Sequence, residues 1–249
     1  NKTVVITGGT KGIGLGITKA YLSLSAKVII LARNKPKKQI QVKGNKALFY
    51  ECNVRDNANV EEVINEVFKA NKCIDVLINN AGGAPLINSL DASMNFNNAI
   101  IDLNLNSSFA VSYYVAKKMI KKSSGCVITN ISSVTATRPT PGSAAYGAAK
   151  GGLVNLTKTL AVEWAPRIRV NSIITGYIET ENSLVHYGSK KDMKAVAKTI
   201  PMKRMGTPED IANACIFLSS ANSSWITGTA IEVHGGGESP AYLNSAKPK

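Results

Sequence analysis

Seven short runs of apolar and β-branched residues punctuate this chain, and most are followed by a stretch with helical spacing. The runs are Thr3–Thr7, Lys27–Leu31, Ala47–Cys52, Val76–Asn79, Cys126–Ile131, Arg169–Ile174 and Ala230–Val233. Between them lie Ile13–Ser25, Ala58–Ala70, Phe96–Lys121, Ala144–Trp164 and Pro208–Ser219. Strands that are almost continuously apolar must be covered on both faces, and a strand–helix alternation joins parallel strands through right-handed crossovers. The pattern predicts the α/β class: a doubly wound, seven-stranded parallel sheet with helices on both faces. No repeat, low-complexity tract or Pro/Gly linker interrupts residues 1–249, so a single domain is expected.

Composition narrows the function. An apolar content of 44% is enough for a sizeable core and excludes a mainly disordered chain. The net charge of +14 invites a nucleic-acid reading. Against it, the excess is scattered and dominated by lysine, with 6 arginines and only 6% aromatics, whereas nucleic-acid clamps favour arginine and stacking rings. A solvated lysine surface with no specific nucleic-acid partner is the expectation. No apolar run approaches a membrane span, and no basic-then-apolar leader precedes the first strand, so the expected address is the cytoplasm. Cys52, Cys73, Cys126 and Cys215 are far apart and the two histidines, His186 and His234, are isolated. No metal site is expected, and the thiols read as small core residues of a reduced protein.

Two stretches break the alternation. Pro85–Met94 is polar and loop-like. The second, residues 177–207, mixes Ile178, Leu184, Val185 and Met193 with Lys190, Lys191, Lys194 and Lys198. Insertions after strand carboxyl ends overlie the ligand crevice of such sheets, so 177–207 is expected to form a substrate lid. Lys190, Lys194 and Lys198 are four apart and would share one helix face. That stripe reads either as a solvated surface or as a handle for an anionic, carrier-linked substrate.

The first strand runs into Thr7-Gly8-Gly9-Thr10-Lys11-Gly12-Ile13-Gly14 and then a helix. A glycine turn opening the first βα unit lets a pyrophosphate approach backbone N–H groups and the positive helix end. By itself the turn is a weak signal, since it is neither G-x-G-x-x-G nor a triphosphate-binding loop. Further features follow in order: Asn79-Asn80-Ala81-Gly82, Asn104 in the long helix, Ser133 closing the fifth strand, and Tyr146-Gly147-Ala148-Ala149-Lys150. Tyr146 and Lys150 are i and i+4 on one helix, so they share a face, and a nearby ammonium favours the phenolate. A tyrosine tuned in this way can pass a proton to or from a carbonyl oxygen.

Together these motifs resemble the short-chain dehydrogenase/reductase family over essentially the whole chain, and the sheet is then of the Rossmann type. The resemblance implies Asn104, Ser133, Tyr146 and Lys150 as catalytic residues. Tyr146 is the general acid/base, Ser133 fixes the reacting oxygen, Lys150 also holds ribose hydroxyls, and Asn104 holds a relay water. It further implies cofactor contacts from Gly8, Thr10, Lys11, Gly12, Ile13, Gly14, Arg33, Asn53, Val54, Asn80, Ala81, Gly82, Gly176, Ile178 and Thr180. The chain departs from the family pattern in two places: Asn53-Val54 stands for Asp-Val, and Asn171 is followed by Thr175-Gly176 where Pro-Gly is usual.

The implied activity is oxidoreduction of a ketone and a secondary alcohol. NADP(H) is favoured over NAD(H), because Ala32 stands at the family's acidic position and Arg33 and Lys11 offer positive charge to a 2′-phosphate. A 3-oxoacyl-thioester reductase is the activity most resembled, although Gly83-Ala84-Pro85-Leu86 departs from it. A steroid, sugar or polyol dehydrogenase is the alternative, and a non-catalytic nucleotide sensor the alternative of another class. The partner is therefore a small carbonyl or alcohol substrate. A homodimer or homotetramer is implied, paired through the helices of Asn104 and Tyr146, with Phe109, Val111, Tyr113, Tyr114 and Val115 buried on two sides.

Overall fold

The computed structural model describes residues 2–121, 125–241 and 245–246. In chain order the elements are β1 (Thr3–Thr7), α1 (Gly12–Ser23), β2 (Lys27–Ala32), β3 (Gln41–Val42), β4 (Asn45–Lys46), β5 (Leu48–Glu51), α2 (Asn57–Asn71) and β6 (Val76–Asn79). Then come α3 (Met94–Ile101), a π-helical turn (Asp102–Asn106), α4 (Ser107–Met119), β7 (Cys126–Ser133), α5 (Ala144–Trp164) and β8 (Ile168–Thr175). The last are α6 (Ser183–Tyr187), α7 (Lys190–Thr199), α8 (Pro208–Ser219) and β9 (Ala230–Val233). Strands β5-β2-β1-β6-β7-β8-β9 form one sheet of seven parallel strands, in that order. The order reverses between β1 and β6, the switch point beside which ligands bind in doubly wound sheets.

Alternation along each strand sorts side chains onto two cores. Val5, Ile29, Leu31 and Leu77 face α2, α4 and α5, where Val60, Ile64, Val111, Val115 and Leu160 meet them. Val4, Ile6, Val28, Ile30 and Ile78 face α1 and α8, against Ile17, Leu22, Ile211, Cys215 and Leu218. Burial on both faces is what the continuous apolar runs demanded.

Helix starts follow local capping. Asp56 accepts from Ala58 N and Asn59 N at the start of α2. Ser189 and Thr207 each form a capping box, with Asp192 and Asp210, so α7 and α8 begin where sequence chemistry places them. The structure departs from the expected elements in two places. A small hairpin, β3 with β4, precedes β5. The stretch expected as one helix over Phe96–Lys121 is α3, the π-helical turn and α4 in succession. On α4, Val111, Val115 and Met119 are buried while Phe109 and Tyr113 are exposed. Among the described residues no helix is long and apolar enough to cross a membrane, and none of their His, Cys, Asp and Glu side chains cluster as metal ligands.

Candidate active site

Ser133 is the last residue of β7 and Tyr146 lies in the first turn of α5, so strand end and helix start bring them together. Ser133 is near enough to the Tyr146 phenol to hold down its pKa. Lys150, one turn along α5, is buried at 3% exposure; its ammonium lies 5.6 Å from the Tyr146 ring centroid and donates to Ile131 O at 2.8 Å. Burial without a carboxylate lowers the lysine's pKa to about 8. The Tyr146 ring is partly exposed but its hydroxyl is desolvated, and this raises its pKa, with Ser133 opposing part of the rise. In the protein alone, desolvation favours the protonated phenol. At neutral pH the pair is therefore a phenol beside a readily titrated amine.

Asn104 is fully buried at the centre of the π-helical turn. Its Oδ1 accepts from Gly83 N at 2.8 Å, while Nδ2 donates to Gly83 O at 3.0 Å and to Ile100 O at 2.9 Å. The side chain thus clamps the segment after β6 to the helix, an engagement that the expected water-holding role did not foresee. A side chain at position 82 would collide with this clamp, since a Cβ there would lie 2.6 Å from Asn104 Oδ1 and 3.3 Å from Lys150 Nζ. The Asn79-Asn80-Ala81-Gly82 stretch, the π turn and Lys150 are in this way one packed unit.

The other half of the crevice is built on the glycine turn. A Cβ at position 14 would sit 2.2 Å from Gly8 O, so only glycine permits α1 to start so close to β1. Asn80 Nδ2 donates to Thr7 O at 3.0 Å and Gly8 O at 3.2 Å, bracing the turn. Thr7 Oγ1 in turn accepts from Asn80 N and Ala81 N, each at 3.0 Å. Thr10 and Ile13 flank the turn half-buried, and Val54 is buried in the core beside α2. Asn53 Oδ1 accepts from Arg55 N at 3.3 Å.

This half fits a dinucleotide. The N-cap residue of α1, Lys11, makes no side-chain cap bond, and a methyl at Gly12 would meet nothing nearer than the Thr180 methyl at 3.7 Å. Lys11 and Arg33 are exposed, with no ion pair among the described residues. Residues 177–207, the stretch expected to form a lid, carry α6 and α7. Ile178 is buried at their base, where it bridges Gly206, and Thr180 N donates to Ser183 Oγ at 2.7 Å. From this lid Glu181 accepts a hydrogen bond from Gly12 N.

On the β7–β9 side stands a group that sequence reading did not single out. Arg138 Nη2 donates to the Tyr177 hydroxyl at 2.8 Å and to Glu238 Oε1 at 3.0 Å. The Tyr177 ring meets that of Tyr187, on α6, edge-on at 5.9 Å. Burial raises the Tyr187 pKa to about 12, with smaller contributions from neighbouring Tyr177 and Tyr146. These residues are scattered over a hundred positions, and no local spacing announces them. The lysines of α7, by contrast, are all exposed.

Known proteins share this design. The sequence model of a family described as enoyl-(acyl carrier protein) reductase matches residues 8–238. A 3-oxoacyl-[acyl-carrier-protein] reductase of Chlamydia pneumoniae is 36% identical over 242 residues, covering 94% of this chain and 96% of that protein. The enzyme of the same name from Rickettsia prowazekii is 37% identical over 237 residues, covering 94% and 96%. Among solved structures, the ligand-free aldohexose dehydrogenase of Thermoplasma acidophilum superposes with a TM-score of 0.88 at 32% identity, covering 100% of this chain and 96% of that one. With the glycine turn, the Asn104 clamp and the Ser133–Tyr146–Lys150 cluster on one seven-stranded Rossmann-type sheet, the chain belongs to the short-chain dehydrogenase/reductase family, oxidoreductases of CH–OH groups that bind NAD(P).

Proposed function

We propose that this protein is an NADP(H)-dependent oxidoreductase interconverting a ketone and a secondary alcohol, with Tyr146 as general acid/base. The observation that carries the reading is Tyr146 beside Ser133, with the buried Lys150 ammonium 5.6 Å from its ring centroid. The nicotinamide supplies or accepts the hydride. Tyr146, protonated at neutral pH, gives its proton to the carbonyl oxygen, and Ser133 hydrogen-bonds the same oxygen. Lys150 holds ribose hydroxyls and keeps positive charge near the phenol. Asn104 acts as a positioning residue, fixing Gly82–Gly83 against the lysine. Gly8, Thr10, Gly12, Ile13 and Gly14 receive the diphosphate at the α1 start. Asn53, Val54, Asn80, Ala81, Gly176, Ile178 and Thr180 line the rest of the cofactor cleft.

NADP(H) over NAD(H) is supported by Arg33 and Lys11, exposed and without an ion pair among the described residues, and by Ala32 where a carboxylate would repel a 2′-phosphate. Two substrate classes have support: 3-oxoacyl thioesters, from the names of the two bacterial relatives, and sugars, from that of the structural relative. A homodimer or homotetramer is supported by exposed Phe109 and Tyr113 on α4. A cytoplasmic location completes the reading.

The deciding experiment is turnover of NADPH and NADH with a panel of carbonyls, and of the oxidised cofactors with alcohols. Cofactor binding without turnover across the whole panel would overturn the enzymatic reading in favour of a nucleotide sensor. Sedimentation at micromolar concentration tests the oligomer, and a monomer would reject it.

A further inference from the structure

Arg138, Tyr177 and Glu238 come from loops that follow three adjacent strands, β7, β8 and β9, at the edge of the sheet that carries Ser133. The register Ser133↔Thr175↔Val233 sets these strand ends side by side. The glycine turn lies across the switch point, at the end of β1, so the two halves of the crevice divide cofactor from substrate. Arg138 is reached five residues after Ser133, with its backbone N bonded to Val134 O at 3.1 Å. Arg138 thus bridges the Tyr177 hydroxyl and the Glu238 carboxylate, joining the three in one polar cluster. Side-chain exposures of 32% for Arg138 and 31% for Glu238 leave both able to meet a ligand. The Tyr187 ring, on α6, packs edge-on against Tyr177 beside this cluster.

The chemistry of the cluster selects a substrate. Its arginine and carboxylate cancel, so it attracts neither anion nor cation strongly: a carboxylate or phosphate reaching Arg138 would sit against Glu238. An aliphatic chain would cover both ions without bonding either, which is unfavourable. A hydroxyl satisfies the pair, accepting from the guanidinium and donating to the carboxylate, and the edge-to-face Tyr177 and Tyr187 rings add apolar surface beside it. We propose that Arg138 and Glu238 are the substrate-specificity residues, and that the substrate is a compact, ring-shaped alcohol or ketone with further hydroxyl groups, rather than a long acyl thioester. This rests on the oxidoreductase reading and chooses between its two substrate classes.

The test compares catalytic efficiency, in the oxidation direction with NADP+ or NAD+, for aldohexoses and inositols against cyclohexanol. In the reduction direction the same protein is offered an aliphatic 3-oxoacyl thioester. Sites that bond a substrate hydroxyl discriminate strongly against analogues lacking it, so the wild type is expected to prefer a polyhydroxylated ring by about tenfold or more. Arg138→Leu and Glu238→Gln should each shrink that ratio at least about fivefold, mainly through KM. Thermal melting and cofactor affinity verify the fold. Should Arg138→Leu fail to fold, Tyr177→Phe removes one hydroxyl from the same cluster and should lower the ratio by a smaller factor. A ratio unmoved by the substitutions, or a wild type that prefers the acyl thioester, overturns the proposal. If cyclohexanol turns over with no preference for hydroxylated rings, this proposal fails and the oxidoreductase reading stands. If nothing turns over while cofactor binds, both fall.

Discussion

Glu181, on the lid, accepts a hydrogen bond from the backbone N of Gly12 at 2.8 Å, at the first residue of α1. A helix N-terminus is where backbone N–H groups and the macrodipole favour an anion, and here the anion is the protein's own carboxylate. This bond ties the segment after β8 to the glycine turn proposed to receive the cofactor diphosphate. Charge at a helix end is worth about 0.3–1 kcal/mol, so Glu181→Gln is expected to tighten NADPH and NADH alike by about two- to fivefold. Adenosine 2′-monophosphate, which carries no diphosphate, should bind both proteins equally. Fluorescence titration measures all three, and weaker dinucleotide binding by the variant would mean that Glu181 clamps bound cofactor instead of competing with it.

Tyr146→Phe keeps the ring but loses the proton. Turnover is expected to drop by ~10²–10⁴-fold with cofactor affinity nearly unchanged. Retention of more than about a tenth of the rate would remove Tyr146 from the acid's role. Because desolvation raises its pKa, the wild type should reduce ketones at a rate flat through neutral pH. Alcohol oxidation needs the phenolate and should climb with pH on the alkaline side. Initial rates in both directions from pH 6 to 10 separate the two profiles.

Lys150 lends itself to a stability test with a defined sign. Its pKa falls from 10.5 to about 8 on burial, so between those values the unfolded chain binds more protons than the native one. The lysine therefore destabilises the cofactor-free fold below about pH 8, and the cost fades as pH rises toward the unfolded value. Lys150→Met should raise stability at pH 7 on the order of 1–2 kcal/mol, after allowing for the bond lost to Ile131 O. The gain should shrink by pH 10, and turnover should be lost. Denaturant titrations at the two pH values decide it; a destabilised variant at pH 7 would refute the burial cost.

Arg33 is expected to carry the cofactor preference. A charge-assisted contact to phosphate is worth about 1.5–3 kcal/mol before solvent screening, so Arg33→Ala should weaken NADPH about tenfold while leaving NADH nearly unchanged. The ratio of kcat/KM for the two reduced cofactors reports it directly. Equal efficiencies in the wild type, or a preference for NADH, would show that Arg33 is only a solvated surface residue.

Local chemistry written in the chain determined much of this protein. The continuously apolar strands could be satisfied only by a sheet covered on both faces, and Thr3–Thr7 running into the glycine turn could open only a βα unit. Spacing alone put Tyr146 and Lys150 on one helix face, and capping residues fixed where α7 and α8 begin. Tertiary structure decided what depends on neighbours distant in sequence. Asn104 breaks its helix into a π-helical turn because its amide finds Gly83, 21 residues away, and Asn80 braces the glycine turn because β6 pairs with β1. Arg138 meets Glu238 across 100 residues, since adjacent strand ends bring their loops together. Burial, too, is a property of the assembled fold. The packed interior desolvates both groups, raising the Tyr146 pKa and lowering that of Lys150, which spacing alone does not encode.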